Sequence, residues 1–274
     1  MTISMDSIPL SSSGLTALEV SIKAARLAGD IILDGFHKPK KYRYKAPQDP
    51  VTSVDLQSEK AVKDFLSKEF PGFGIIAEES GATNGDSEFR WFVDPLDGTR
   101  NFVSGIPHFC SAIALAYGPQ ILVAATYDPI RQEMFQAALG KGAHLNGNRI
   151  TISSKNRLSD CLIGFDMGPA GSAHGNALDI AHNLWQGIRS IRAMGSAALG
   201  LAYAANARID IYFHQFLSSW DLAGGLLLVR EAGGTATDRH GNQATPTSTS
   251  IIVSSPNLIT QFLEETLTPN NHTY

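Results

Sequence analysis

The sequence predicts an α/β fold, with α+β character, in which helices and sheets alternate in layers. Apolar residues near the start recur at helical spacing, and a series of short strand-like segments joined by turns follows them. After about residue 150, strand-like and helical segments alternate again. We therefore expect a flexible arm over residues 1–14, an N-terminal α+β lobe over 15–150 and a C-terminal α/β lobe over 151–274.

Two helices are expected to open the N-terminal lobe. Apolar residues three or four positions apart predict the first helix over residues 15–36. The second helix is predicted over about 54–70, and either Thr52 or Ser53 is placed to cap it. A basic stretch over residues 37–45 and a proline-containing loop connect the two helices.

A run of short strands follows the second helix. The Asn146-Gly147 pair is a strong signal for a tight hairpin turn, and consecutive hairpins indicate a mainly antiparallel sheet. The predicted strands of this lobe cover residues 74–77, 89–93, 110–117, 121–127, 133–138 and 142–145.

The C-terminal lobe alternates strands with helices. The small residues Ala223, Gly224 and Gly225 permit the apolar helix that follows Asp221 to pack closely against its neighbours. We expect strands near residues 161–166, 209–213 and 250–253, and helices near 176–187, 196–205, 220–232 and from 256 onward.

Composition limits the partners of the protein. The formal net charge of −4 is unlike that of a protein that binds nucleic acid through its phosphates, so no nucleic-acid partner is expected. A phosphorylated small molecule is still compatible with this charge if metal ions reverse the local field. Cys110 and Cys161 lack the spacing of a metal site and are expected to be reduced thiols of the core.

The sequence also bears on location. No stretch approaches the ~18 uninterrupted apolar residues that a membrane span requires. Residues 1–14 lack the basic start and apolar run of a signal peptide. We therefore expect a cytoplasmic protein without a membrane partner.

The most informative segment is WFVDPLDGTRNF, which starts at Trp91. A strand rich in aromatic and β-branched residues runs directly into Asp94 and Asp97, and Gly98 permits a sharp turn after them. Burying such carboxylates costs several kcal/mol unless a positive charge compensates them. Hard divalent cations such as Mg²⁺ prefer oxygen ligands of this kind, although a solvated turn would explain this segment taken alone.

Three further carboxylates stand at the ends of predicted elements. Glu78, with Glu79 beside it, follows an apolar strand, and Asp221 and Asp55 each open a predicted helix. A helix-capping role is the alternative for both aspartates. With Asp94 and Asp97, five carboxylates are enough to hold two or three metal ions, the arrangement that suits phosphoryl transfer.

Four motifs in this chain resemble those of the inositol monophosphatase family, part of the lithium-sensitive, magnesium-dependent sugar phosphatases. They are VTSVD, EES, DPLDGTRNF and WDLAGGLLLVREAGG, which occur in the family's order. The resemblance extends from about residue 15 to about 265. It implies a layered αβαβα sandwich, as in inositol monophosphatase and fructose-1,6-bisphosphatase, and a homodimer.

The resemblance also implies roles for individual residues. Asp55 and Thr99 would orient and deprotonate the attacking water, and Lys45 would lie on a loop that closes over a third metal ion. The alternative for Lys45 is a solvated side chain. The implied metal ligands are Glu78, Asp94, the Leu96 carbonyl oxygen, Asp97 and Asp221. The implied substrate-binding residues are Gly98, Thr99, Gly195, Ser196, Ala197 and, as a hypothesis, His214.

His214 marks a departure from the family pattern. Inositol-specific members carry a glutamate at this position, seven residues before the aspartate of the WD motif, and it binds ring hydroxyls. A neutral imidazole has one acceptor and one donor and cannot reproduce that contact. A protonated one would favour a second negative group on the substrate. His214 could also point away from the substrate.

The expected function is therefore metal-dependent hydrolysis of a phosphate monoester of a small polyol or sugar, most similar to that of inositol monophosphatase. Alternatives within the superfamily are fructose-1,6-bisphosphatase, histidinol-phosphatase and 3′-phosphonucleotide phosphatase, which the metal motifs do not separate. A phosphatase with an aspartyl-phosphate intermediate is disfavoured because Asp97 lies three positions after Asp94, where that chemistry uses two. A non-catalytic binding protein is disfavoured because the five carboxylates and Thr99 are all present.

Overall fold

Helices and sheets alternate in five layers. The structure is a computed structural model and describes residues 8–83, 85–168 and 177–267. A helix pair, an eight-stranded sheet, a central helix pair, a five-stranded sheet and an outer helix pair follow one another. Three clusters of buried apolar residues join these layers, and the largest cluster holds the central helices between the two sheets.

The first layer consists of α1 (Ala17–Phe36) and α2 (Ser53–Glu69), which are joined by a hairpin of β1 (Tyr42–Ala46) and β2 (Asp49–Thr52). Each helix begins in a capping box, in which the cap residue and the acidic residue three positions later satisfy each other's backbone N–H groups. For α2, Thr52 is the cap and Asp55 is its acidic partner. This local device places Asp55 at a defined point of the chain.

The larger sheet has the chain's longest strands at its centre. Its members are β3 (Gly74–Ala77), β4 (Gly81–Thr83), β5 (Phe89–Asp97), β6 (Cys110–Tyr117), β7 (Gln120–Asp128), β8 (Glu133–Ala138), β9 (Gly142–Leu145) and β10 (Asn148–Arg149). They lie in the order β10-β9-β8-β7-β6-β5-β3-β4, and all neighbours are antiparallel except β3 and β5. A short helix, α3 (Thr99–Ser104), follows β5 directly.

Both faces of this sheet are covered, so its central strands are apolar throughout. Trp91 and Val93 of β5 pack towards α1 and α2, whereas Phe92 between them packs towards the central helices. Burial of a large side chain such as Ile113 contributes roughly 1.5–3 kcal/mol. Asp94 follows Phe92 by two positions, so the pleat carries it towards the central helices as well.

The second half of the chain builds the remaining layers. Its elements are β11 (Leu162–Asp166), α4 (Ala177–Leu184), β12 (Ser190–Ala193), α5 (Ala197–Ala205), β13 (Ile211–His214), α6 (Ser219–Glu231), β14 (Thr235–Thr237), β15 (Ile251–Ser254) and α7 (Pro256–Leu267). The smaller sheet has the order β12-β11-β13-β15-β14. Strands β12, β11 and β13 are parallel, so their C-terminal ends share one edge. The helices α4 and α7 cover the outer face.

Glycines allow the central helices to approach their neighbours closely. A Cβ atom at Gly225 of α6 would lie 2.2 Å from Leu201 Cδ1 on α5. A Cβ atom at Gly200 of α5 would lie 2.3 Å from the ring of Tyr212 on β13. Both distances are well inside van der Waals contact, so a larger residue would push the layers apart.

The predicted elements are present, with bounds that differ by a few residues. The largest difference is at β5, which continues past the predicted end at residue 93 to Asp97. The β1–β2 hairpin and the short strands β4, β10, β12 and β14 were not predicted. The hairpin gives no apolar alternation because every residue of β1 is exposed. The predicted start of α4 at Asn176 lies outside the described residues.

The predicted flexible arm is anchored where the structure describes it. Ser12 N donates to the Glu69 carbonyl oxygen (2.8 Å), and Ser13 Oγ donates to the Glu69 carboxylate. Ser11 is 6% exposed. These contacts hold residues 11–13 against the end of α2, so this part of the arm differs from the expectation. Residues 1–7 of the predicted arm lie outside the described residues.

Candidate active site

The C-terminal end of β5 is the foundation of the site. The pairing of β5 with β6 shifts register between Asp94 and Asp97, at the point where Pro95 provides no backbone donor. Asp94 Oδ1 accepts a hydrogen bond from Leu96 N at 3.0 Å. Gly98 then adopts a left-handed conformation, with φ of 92°, and starts α3. The irregularity turns two aspartates three positions apart towards the same space.

Asp221 joins these two aspartates from α6. One carboxylate oxygen from each of Asp94, Asp97 and Asp221 lies within 4.8 Å of the others. Asp94 is 1% exposed and Asp97 is 9% exposed. Asp221 is the third residue of α6. Its side chain is held in place because its Oδ2 accepts a hydrogen bond from Ser218 N at 2.8 Å. Sequence-distant elements thus converge on one acidic cluster.

Burial and mutual repulsion oppose ionisation of this cluster. Burial, reinforced by Glu78, raises the pKa of Asp94 well above its ordinary value. Burial, followed by the charge of Asp97, raises the pKa of Asp221 to about 7. A bound cation would reverse both effects, because it favours the charged form of each ligand. An all-oxygen set of this kind fits a hard divalent metal ion.

Glu78 stands beside the cluster and is paired with Lys45. Lys45 Nζ lies 2.9 Å from Glu78 Oε1 and 2.7 Å from Glu79 Oε1. Burial raises the pKa of Glu78 to about 8 despite this contact. Burial lowers the pKa of Lys45, but the charges of Glu78 and Glu79 and their hydrogen bonds to Lys45 together outweigh it, so the net change is upward. Lys45, at the end of the exposed hairpin, supplies the positive charge at this edge of the site.

Asp55 and Thr99 form a hydrogen-bonded pair next to the cluster. Thr99 Oγ1 lies 3.1 Å from Asp55 Oδ1 and 3.0 Å from the Leu96 carbonyl oxygen. The single hydroxyl proton of Thr99 can serve only one of these acceptors at a time. Asp55 Oδ2 remains engaged with Thr52 N (2.9 Å) through the capping box. Burial raises the pKa of Asp55, and its hydrogen bonds to Thr52 and Thr99 counteract part of that rise.

The loop before α5 is held to the cluster by Asp97. Ala197 N and Ala198 N donate to the Asp97 carboxylate at 3.2 and 2.8 Å, and Ser196 Oγ donates to it as well. Asp97 therefore caps α5 from a distant part of the chain. Gly195 precedes these residues with φ of 78°. The three residues implied to bind substrate, Gly195 to Ala197, are fixed next to an implied metal ligand.

His214 is the last residue of β13, and it lines the same cavity as Asp94, Asp97 and Asp221. Its Nδ1 accepts a hydrogen bond from Phe216 N at 3.0 Å, so the neutral ring carries its proton on Nε2. Burial, together with Arg100, lowers the pKa of His214 to about 4. The imidazole is therefore neutral near pH 7, which disfavours recognition of a second negative group by a protonated ring.

A cavity of about 440 Å³ brings these residues together. Asp55 does not line the cavity, but it accepts a hydrogen bond from Thr99, which does. The implied residues that line the cavity are Glu78, Asp94, Leu96, Asp97, Gly98, Thr99, Gly195, Ser196, Ala197, His214 and Asp221. Their assignment to metal, water or substrate remains a prediction.

The cavity also contains residues that the sequence analysis did not select. Arg100 and Asn101 line it, and Asn101 Nδ2 donates to the His108 carbonyl oxygen at 2.8 Å. Asp166 lines it from the end of β11. The signal for Asp166 was available, because an acidic residue directly follows an apolar strand there, as it does at Glu78 and Asp94.

The chain is similar to proteins of one family over most of its length. A model of the inositol monophosphatase family matches residues 15–271. The chain is 39% identical over 255 residues to the Nus factor SuhB of Pasteurella multocida, with 90% of this chain and 94% of that protein covered. It is 41% identical over 230 residues to the inositol-1-monophosphatase of Mesorhizobium japonicum, with coverage of 82% and 86%.

A solved structure agrees with this similarity. The extragenic suppressor protein suhB of Bartonella henselae superposes with a TM-score of 0.86 at 35% identity, covering 93% of this chain and 98% of that one. The chain belongs to the inositol monophosphatase family, and the layered fold predicted from its sequence is confirmed. In the described parts of the chain, no helix combines the length and apolar character needed to cross a bilayer.

Proposed function

We propose that this protein is a phosphatase that hydrolyses a phosphate monoester of a small polyol or sugar with the help of two or three Mg²⁺ ions. The convergence of Asp94, Asp97 and Asp221 within 4.8 Å, in a cavity that also contains Thr99, carries the proposal. Spontaneous hydrolysis of phosphate monoesters is among the slowest reactions known, so catalysis requires strong electrostatic stabilisation. Buried carboxylates of raised pKa are suited to hold the cations that provide it.

The metal would be held by Glu78, Asp94, the Leu96 carbonyl oxygen, Asp97 and Asp221. Bound Mg²⁺ supplies charge stabilisation and an activated water in phosphoryl transfer. Mg²⁺ is favoured over softer ions because every proposed ligand is an oxygen.

The Asp55–Thr99 pair would orient the attacking water. When the Leu96 carbonyl oxygen is engaged elsewhere, the Thr99 hydroxyl donates to Asp55 and leaves its own lone pairs free to accept from the water. The water's proton then passes towards Asp55, whose raised pKa makes it a stronger base than an exposed aspartate.

The substrate would lie across the cavity. The Gly98 and Thr99 N–H groups are proposed to bind the phosphate, and Gly195, Ser196 and Ala197 the alcohol part. His214 is proposed to contact the alcohol part as a neutral donor. We infer that the substrate differs in its hydroxyl pattern from those of inositol-specific enzymes, because His214 stands where they carry a carboxylate.

Steady-state kinetics test the activity. The substrates are inositol 1-phosphate, fructose 1,6-bisphosphate, histidinol phosphate and 3′,5′-adenosine bisphosphate, each with Mg²⁺ and with excess chelator. We expect turnover of at least one ester with Mg²⁺ and none with chelator. Full turnover in chelator would contradict the metal mechanism, and no turnover of any ester would contradict the proposed activity. Some relatives are named Nus factors and not phosphatases. The assay therefore tests directly whether this chain has phosphatase activity.

Three further properties complete the proposal. Li⁺ is expected to inhibit at the site formed by Asp94, Asp97 and Asp221, and a dose series in the presence of Mg²⁺ measures this. A homodimer and a cytoplasmic location remain predictions. Light scattering on the purified protein tests the dimer.

A further inference from the structure

Asp166 contributes a carboxylate to the cavity apart from the acidic cluster. It lies at the C-terminal end of β11, is 6% exposed and lines the cavity. Asp166 is not one of the three aspartates, Asp94, Asp97 and Asp221, whose carboxylate oxygens lie within 4.8 Å of one another, and it is not one of the proposed metal ligands. The proposed hydrolytic steps do not use it, so its buried position calls for a separate explanation.

The partners of Asp166 are neutral donors. Gly195 N–H donates to its Oδ1, and the Tyr212 hydroxyl donates to its Oδ2 at 2.8 Å. Among the described residues, Asp166 forms no ion pair with a lysine, arginine or histidine. A backbone contact from Met194 is a third donor to the same carboxylate. A carboxylate has about four acceptor positions, so at least one is left for a ligand in the cavity.

His214 places a donor beside this acceptor. Asp166 and His214 are register partners on the parallel strands β11 and β13. Phe165 and Phe213, one position earlier, face the outer helices, so Asp166 and His214 face the central helices and the cavity. The Nδ1 atom of His214 accepts from Phe216 N, which leaves Nε2–H as its donor.

A hydroxyl group matches such a pair because it both donates and accepts. We propose that Asp166 is a specificity-determining residue that accepts a hydrogen bond from a hydroxyl of the substrate's alcohol part, while His214 Nε2–H donates to the same polyol. A protonated amine would offer His214 no acceptor, and a second phosphate dianion would offer Asp166 no donor. The inference rests on the proposed phosphatase function and narrows its substrate class to polyols over amino alcohols and bisphosphates.

Asp166→Asn tests this with two esters of the same ring. Inositol 1-phosphate carries hydroxyls beside the ester, and cyclohexyl phosphate carries none. Burial raises the pKa of Asp166 to about 6, so the assays are run at pH 8, where the carboxylate is ionised. We expect the ratio of kcat/KM for inositol 1-phosphate to kcat/KM for cyclohexyl phosphate to fall by about 10-fold or more, as for loss of a hydrogen bond to a charged group.

Tyr212→Phe is the matched control. Tyr212 is fully buried behind Asp166, and the substitution removes one donor to the same carboxylate without altering the cavity wall. If Asp166 only braced the fold, both variants would change the two activities in parallel. We expect the Tyr212→Phe ratio to stay within about two-fold of the wild type, and the His214→Phe ratio to fall as for Asp166→Asn.

The outcomes separate this inference from the proposed function. An unchanged ratio in Asp166→Asn, with both activities measurable, overturns the role of Asp166 and leaves the phosphatase intact. If the Asp166→Asn protein melts below the assay temperature, the wild-type protein provides the test. Equal kcat/KM values of the wild type for the two esters would also overturn the proposed role of Asp166. A wild type that hydrolyses neither ester, nor any other phosphate ester, in Mg²⁺ refutes the phosphatase itself.

Discussion

The first turns of α2 and α6 are built alike but face different neighbours. Each helix has a hydroxyl residue as its cap, Thr52 or Ser218, and an aspartate three positions later, Asp55 or Asp221. The backbone N–H of each cap donates to Oδ2 of its aspartate, at 2.9 and 2.8 Å. In both cases the capping role, which was the alternative explanation at the level of sequence, is present in the structure.

The two aspartates differ in what surrounds the rest of the carboxylate. Asp55 accepts hydrogen bonds from the hydroxyls of Thr52 and Thr99. Asp221 instead lies against the carboxylates of Asp94 and Asp97. The comparison teaches that a capping box fixes where a carboxylate stands, while its neighbours decide whether it can take a proton from a hydroxyl or hold a cation. A cap and a functional group are therefore compatible roles for one residue.

The largest expected effect is on kcat when an aspartate that is proposed to bind the metal ion is replaced. Asp94→Asn and Asp221→Asn should each lower kcat by at least ~10³-fold, the scale expected for loss of a principal electrostatic stabiliser. Steady-state kinetics at saturating Mg²⁺ measure this, with circular dichroism as the control for folding. Near-normal activity in a folded Asp94→Asn variant would remove Asp94 from the ligand set.

A comparable or smaller effect is expected at Asp55, which contacts hydroxyl groups. Asp55→Asn should lower kcat by roughly 10²–10⁴-fold, the range for loss of a general base. The Asp55→Asn protein should still be stabilised by Mg²⁺, because Asp55 is not a proposed metal ligand. The Asp221→Asn protein should lose most of that stabilisation. The comparison is made by the Mg²⁺-dependent shift in Tm of the two variants. Equal shifts would mean that the two aspartates do not have separate roles.

The pH dependence of stability should follow the Asp221 cluster. The folded-state pKa values of Glu78 and Asp221, about 8 and about 7, lie above the ordinary values of 4.5 and 3.8. The folded protein therefore binds more protons than the unfolded chain, and this contribution to stability is lost as the pH rises from about 4 to about 8. In chelator, we expect Tm to fall over this interval and the fall to be weaker in Asp221→Asn.

Mg²⁺ provides the complementary measurement. Because it favours the ionised carboxylates, it should raise Tm more at pH 8 than at pH 5. A Mg²⁺ effect that is the same at both values would contradict the assignment of the raised pKa values to cation ligands.

The caps themselves should give the smallest effects. Thr52→Ala and Ser218→Ala should each reduce the free energy of unfolding by about 1 kcal/mol, the usual cost of a lost helix cap. Thr16→Ala, in the capping box of α1, serves as the matched control because it is remote from the cavity. Denaturant unfolding measures all three. We expect Thr16→Ala to leave kcat unchanged and Thr52→Ala to lower it, since Thr52 also holds Asp55.

Much of the fold and of the site could be predicted because the signals are local. The apolar period of α1, the Asn146-Gly147 turn and the caps of α2 depend on residues a few positions apart. Carboxylates at the ends of elements are visible in the same way. The sequence alone therefore determined the layered fold class, and it located the aspartates that the structure brings together.

The tertiary structure decided which distant residues meet. Asp166 contacts Tyr212 across 46 positions of the chain, and Ser196 donates to Asp97 across 99 positions. The exposed hairpin that brings Lys45 to Glu78 carries no apolar pattern that would reveal it. These contacts follow from strand order and register, which are set by how whole layers bury their apolar faces against each other. A residue's role in this cavity depends on that burial and not on its nearest neighbours in the chain.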